Sequence, residues 1–213
     1  MKGLDRAIAS GIRRIAVFTA ASESFNRKNI NMGVQESLEV FKPVVARAIQ
    51  EGISVRGYVS TCFVCPYEGS IAKEKVADVT RGLFELGVDE VSIGDTIGAA
   101  TPQDVEKTVG FLLRHFHTAQ LAMHFHDTYG MAVANVYQSL QLGITIFDSS
   151  AGGLGGCPYA PGASGNVATE DIVYLFEKLG IQTGVSLQLL RRASHLIARE
   201  LARDLPSRVL KVS

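Results

Sequence analysis

The alternation of short β-branched runs with longer amphipathic stretches most constrains what this 213-residue chain can become. The runs lie at 14–19 (RIAVFT), 53–60 (ISVRGYVS), 90–94 (EVSIG), 120–125 (QLAMHF) and 144–149 (ITIFDS). Each is near-continuous and apolar, as strands buried on both faces are. Helical spacing fills the intervals. In the first helix Val34, Leu38, Phe41, Val45, Ala48 and Ile49 fall on one face, and Pro43 inside it predicts a kink. A later helix opens on Thr101-Pro102-Gln103-Asp104: a cap residue, a proline in the first turn and an acid near the positive end of the helix dipole. Glycines at 52, 87, 143 and 180 mark helix ends.

Strand–helix alternation at this spacing means a parallel sheet with right-handed crossovers. A doubly wound sheet and a (β/α)₈ TIM barrel compete. A dinucleotide-binding open sheet needs G-x-G-x-x-G after its first strand. That segment here reads AVFTAASESF and contains no glycine. A barrel instead gathers polar residues at the C-terminal ends of several strands. Ser22 and Glu23, Asp95, His124, His126 and Asp127, and Asp148 recur at those places, so a single barrel domain is expected over 1–213. Five strands are too few for closure, and the stretch 3–11 (GLDRAIASG) reads as the end of a helix with no strand before it. The chain is therefore expected to be a truncated barrel of about five βα units, its edges needing cover.

Composition removes other classes. Lys+Arg and Asp+Glu both count 21, and the net charge of zero gives no footprint for nucleic acid or an anionic membrane. No apolar run approaches the ~20 residues that span a bilayer, and the N-terminus lacks the apolar core of a secretory signal. Three cysteines suit a reducing compartment. Cys62-x-x-Cys65 has no second pair to complete a zinc site and reads as structural.

His124-Phe125-His126 is the sharpest chemical signal. On a strand, residues i and i+2 share a face, roughly 6–7 Å apart, so two imidazoles can converge on one ion while Met123 and Phe125 face the helices. Two buried, hydrogen-bonded histidines are the plainer alternative. His115 and His117 share the spacing but lie at a helix end and read as surface residues; His195 reads as structural. A second signal is SSAGGLGGCPY at 149–159. Four glycines allow close backbone approach. Cys157 on such a loop, near a cation and a helix N-terminus, would have a lowered thiol pKa fit for proton exchange; an inert thiol is the alternative. Asn166 is a metal ligand or a helix cap. Asp95 is a base, a partner to a metal-bound histidine, or a cap.

Together SSAGGLGGCPYAPGASGN, RGYVSTCFVCPYEG, SIGDTIGAATP, HFHDTYG and ASESFNRKNIN resemble, in order, the motifs of the hydroxymethylglutaryl-CoA lyases, from about residue 3 to 201. The resemblance implies a (β/α)₈ barrel and cleavage of 3-hydroxy-3-methylglutaryl-CoA to acetoacetate and acetyl-CoA. It implies Mg²⁺ or Mn²⁺ held by His124, His126 and Asn166, Cys157 as proton donor and Asp95 in proton transfer. An acyl-CoA substrate, a homodimer, and a bacterial cytoplasm or, with a targeting segment lost, a mitochondrial matrix are expected with it. The family's Arg-Asp pair at its first strand and a glutamate of its second have no counterpart here, so the chain is expected to be nearly inactive alone. Isopropylmalate and homocitrate synthases use H-x-H-N-D where Asp127-Thr128 stands here. A non-catalytic remnant is a further alternative.

Overall fold

The computed structural model of the chain describes residues 1–156 and 165–212. It opens with helix α1 (Lys2–Ala9), strand β1 (Arg14–Ala20), helices α2 (Glu23–Ile30) and α3 (Val34–Gln50), and strand β2 (Ser54–Ser60). A small hairpin, β3 (Val64–Cys65) with β4 (Gly69–Ser70), precedes helix α4 (Lys73–Glu85). Then come β5 (Glu90–Asp95), α5 (Pro102–Leu112), β6 (Leu121–Phe125), α6 (Ala132–Gln141), β7 (Phe147–Asp148), α7 (Thr169–Lys178) and α8 (Leu187–Glu200).

The main sheet runs β1-β2-β5-β6-β7 with every neighbour parallel. Spatial order follows chain order throughout. A doubly wound sheet reverses its order at a switch point; this one never does, and so forms an arc of a barrel. All strands therefore end along one rim, where barrels assemble their sites.

Side chains alternate across the arc. Val55, Val59, Val91, Ile93, Leu121, Met123 and Phe125 point outward to the helices and are at most 1% exposed. They pack with Val45, Leu83, Val105, Leu112 and Val136 into one core. Gly57 keeps that layer thin, since a Cβ there would lie 2.9 Å from Leu83 Cδ1. The opposite face carries Arg14, Ala16 and Phe18 of β1, Arg56 and Tyr58 of β2, Glu90 and Ser92 of β5, and His124 of β6. Phe18 on this inner face is 49% exposed.

Three expectations need adjustment. The stretch after β1, read as a strand-end loop, forms α2: Ser22 Oγ accepts from the Phe25 amide at 3.0 Å and starts the helix. Ile49 does not belong to the buried face of α3 and is 50% exposed, whereas Ser37 is fully buried there and bonds Thr19 at 2.8 Å. β7 is shorter than the 144–149 run, because it pairs with β6 only at Met123↔Phe147 and His124↔Asp148. Helix α3 is continuous through Pro43, and the predicted Thr101–Asp104 box caps α5.

Candidate metal centre and active-site cavity

The parallel register lays the inner-face side chains in tiers. His124 stands opposite Gly94 on one side and Asp148 on the other. Glycine at 94 leaves room beside the imidazole; a Cβ there would lie 3.0 Å from the Val59 carbonyl oxygen. The His124 and His126 rings have centroids 5.3 Å apart, inclined by 49°, so the i, i+2 pair converges as its spacing predicts. Both line a cavity of about 410 Å³ with Phe18, Tyr58, Ser60 and Thr96. Met123 and Phe125 face the helix layer. A larger groove of about 690 Å³ runs along Tyr174, Leu187 and Arg191 on the outer side, and neither imidazole lines it.

His126 is 7% exposed. Burial, then the neighbouring His124, lowers its pKa to about 4, so the ring is neutral at pH 7 and keeps a lone pair for an ion. Nδ1 of each ring is buried and has no hydrogen-bond partner among the described residues. Asn166 joins the pair through a bridge with His126. Its Nδ2 donates to the Leu154 carbonyl at 2.9 Å, which fixes the amide and leaves Oδ1 for another partner. Two imidazoles and an amide oxygen fit a divalent cation. Among the described residues no group of three His, Cys, Asp or Glu forms a metal cluster.

Asp95 closes β5 and is 1% exposed. Its Oδ1 accepts from the Ala99 amide at 3.1 Å and its Oδ2 from Ala100 at 3.0 Å. Burial outweighs these bonds and raises the carboxyl to about 6. The capping alternative thus holds for the loop rather than for the helix itself: Asp95 shapes 96–100, and the rim is tied further by Thr61 N donating to Thr96 Oγ1 at 2.7 Å. Thr61 has φ of 53°, an outlying conformation for a β-branched residue and one that concentrates at functional rims.

Cys157 lies outside the described residues; the stem of its loop does not. Gly152 N donates to Glu170 Oε2 at 2.8 Å, and Ser207 N donates to the Gly152 carbonyl at 3.1 Å. Cys62 and Cys65 are buried and unpaired with each other. Cys62 Sγ donates to the Val59 carbonyl and Cys65 Sγ to Ser22 Oγ, both at 3.0 Å. His115, His117 and His195 are exposed.

Beneath the imidazoles sits a charge array that the sequence reading did not assemble. Arg56 Nη1 contacts Asp148 Oδ1 at 2.7 Å, Arg56 Nε contacts Glu90 Oε1 at 2.7 Å, and Arg14 Nη2 reaches the same Glu90 oxygen at 3.1 Å. Ser92 Oγ donates to Asp148 Oδ2 at 2.9 Å. Burial pushes Asp148 up, but His124, Arg56 and Ser92 outweigh it and hold its pKa below the usual carboxylate value. The available signal was a charged residue in several of the five apolar strand runs, among them Arg56, Glu90 and Asp148. Buried parallel strands carry such residues only when paired.

Comparison with known proteins places these residues in context. The HMGL-like family model matches residues 1–197. The chain is 51% identical over 211 residues to hydroxymethylglutaryl-CoA lyase YngG of Bacillus subtilis (strain 168), covering 99% of the chain and 71% of that relative. It is 47% identical over 213 residues to the mitochondrial hydroxymethylglutaryl-CoA lyase of Homo sapiens, of which it spans 66%. The crystal structure of the HMG-CoA lyase of Bacillus subtilis superposes with a TM-score of 0.97 at 50% identity, over 100% of this chain and 71% of that one.

Proposed function

This chain belongs to the hydroxymethylglutaryl-CoA lyase family, and from that premise we propose that its rim cavity cleaves 3-hydroxy-3-methylglutaryl-CoA to acetoacetate and acetyl-CoA. The observation that carries the reading is the convergence of His124 and His126 on one cavity; Asn166 pairs with His126 through a backbone bridge and lines a separate cavity of about 520 Å³. These three residues would hold Mg²⁺ or Mn²⁺. A bound divalent cation supplies Lewis acidity, drawing on substrate oxygens and making the tertiary hydroxyl more acidic.

The residues of the chain supply the rest. Burial keeps His126 neutral, so it competes for a cation rather than for a proton at pH 7. Cleavage removes the hydroxyl proton, breaks the carbon–carbon bond and leaves a carbanion on the acetyl-CoA carbon, which takes up a proton. Cys157 is the donor in this reading. Asp95, raised to about 6, can exchange a proton near neutrality. Both of its oxygens accept from backbone amides, so proton exchange at Asp95 requires one of those bonds to open. The expected homodimer belongs to the same proposal and is read by light scattering on the purified protein.

The test joins cation binding to turnover. Wild type and His126→Ala are titrated with Mn²⁺ in this chain, and acetoacetate release from the thioester is followed in a chain completed with the family's Arg-Asp strand. Loss of both in the variant is expected. A variant that retains the cation and turns over as wild type overturns the assignment.

A further inference from the structure

The imidazoles of the cavity differ in what stands behind them. His124 Nδ1 lies 3.5 Å from Asp148 Oδ2, the limit of hydrogen-bonding distance, and has no closer partner among the described residues. Asp148 is the residue directly opposite His124 in the register of β6 and β7. Its carboxylate is fixed by other groups: Arg56 Nη1 on Oδ1 at 2.7 Å, and Ser92 Oγ on Oδ2 at 2.9 Å. Arg56 is in turn held by Glu90 at 2.7 Å and stacked over Tyr58, 4.8 Å from the ring centroid. Arg56, Asp148 and Glu90 side chains are 14%, 19% and 11% exposed, so water screens them little. The array thus ends in one carboxylate oxygen, Asp148 Oδ2, 3.5 Å from one ring nitrogen.

We infer that Asp148 is the positioning residue for His124: its Oδ2 accepts from Nδ1–H and so commits Nε2, the other nitrogen, to the cavity. A neutral imidazole carries its proton on either nitrogen, and only the bare one can bind a cation. A carboxylate accepts a proton bond and offers none, so facing Nδ1 it selects the Nδ1–H form. Ser92 and Arg56 prevent the carboxylate from turning away. Among the described residues no carboxylate pairs with His126 as Asp148 does with His124, so the support falls on one ligand of the pair.

The inference rests on the reading that His124 holds a cation, and the experiment separates the two. Imidazole ¹⁵N shifts of His124 are recorded in the metal-free full chain for wild type, Asp148→Asn and Ser92→Ala, and Mn²⁺ affinity is measured for these and for His124→Ala. Wild type should show Nδ1–H with a bare Nε2. Asp148→Asn should mix the tautomers and weaken Mn²⁺ binding by about 10–100-fold, the usual loss when such a partner is removed. Ser92→Ala, which changes no charge, should shift both readouts the same way to a smaller extent and keeps the question open to test if Asp148→Asn fails to fold. A wild-type ring protonated on Nε2, or variant tautomers identical to wild type, overturns the positioning role. Undiminished Mn²⁺ binding by His124→Ala overturns the ligand assignment instead, whatever the tautomer, since the shifts are read without metal.

Discussion

Replacing Gly152 by alanine tests how tightly the stem of the cysteine loop is clamped. Gly152 has φ of +64°, and an added Cβ would lie 2.3 Å from Leu205 Cδ1, 3.0 Å from its Cβ and 3.2 Å from its Cγ. The whole Leu205 side chain would have to move, and it is only 5% exposed. Left-handed backbone costs a non-glycine residue about 1–2 kcal/mol, and overfilling a packed site costs a further 1–3 kcal/mol or so. The sum is about 2–5 kcal/mol. Gly180 is the control, with φ of +74° and nothing within 4 Å of its would-be Cβ. Gly180→Ala carries the backbone cost alone, and the loss of unfolded-chain freedom is common to both variants. The two should differ by about 1–3 kcal/mol, or about 2–12 °C in Tm for a domain of this size. Thermal unfolding by circular dichroism reads the difference. Equal Tm values would refute the clamp, because Leu205 would then have yielded at no cost.

Further outcomes follow from the charge array, the buried thiols and Asp95. Arg56→Ala leaves Asp148 and Glu90 buried without their shared cation and should cost about 3–5 kcal/mol in urea unfolding; a loss below 1 kcal/mol or so would place these carboxylates in water. Burial pushes the Cys62 thiol far up, thiolate is the reactive form, and Cys65 is closed off by burial, so Cys62 and Cys65 should resist Ellman's reagent in the native protein and react once it is unfolded in guanidinium. Rapid native labelling of either, located by peptide mapping, contradicts the packing. The folded carboxyl of Asp95, at about 6, lies above its usual value of 3.8. Its contribution is therefore present below about pH 4 and lost as pH rises through 6 or so. Across that window wild type should lose roughly 3 kcal/mol more stability than Asp95→Asn; parallel pH profiles would show that the group is not buried as described.

Much of the fold was legible in local pattern. Five apolar runs, helix caps such as Thr101 and glycines after helices each follow from backbone geometry within a few residues. The His124–His126 convergence was legible too, because a strand repeats every two residues and places both rings on one side. Local pattern misplaced Ile49, where a helical stripe runs into its own edge, and missed α2, whose start depends on one serine hydroxyl closing onto Phe25. Asp148 was legible as a polar residue at a strand end and Arg56 only as a charge in an apolar run, and the two lie 92 residues apart. What joins them is the register of three intervening strand pairings, and register is set by packing along the whole sheet. Sequence left the use of Asp95 open among base, histidine partner and cap, since the amides it accepts are decided by how 96–100 folds over the rim. Sequence alone determined which residue types could do chemistry and which way each strand turns them. Only the tertiary structure decided which carboxylate stands behind which imidazole, because partners distant in the chain meet through contacts that no local spacing encodes.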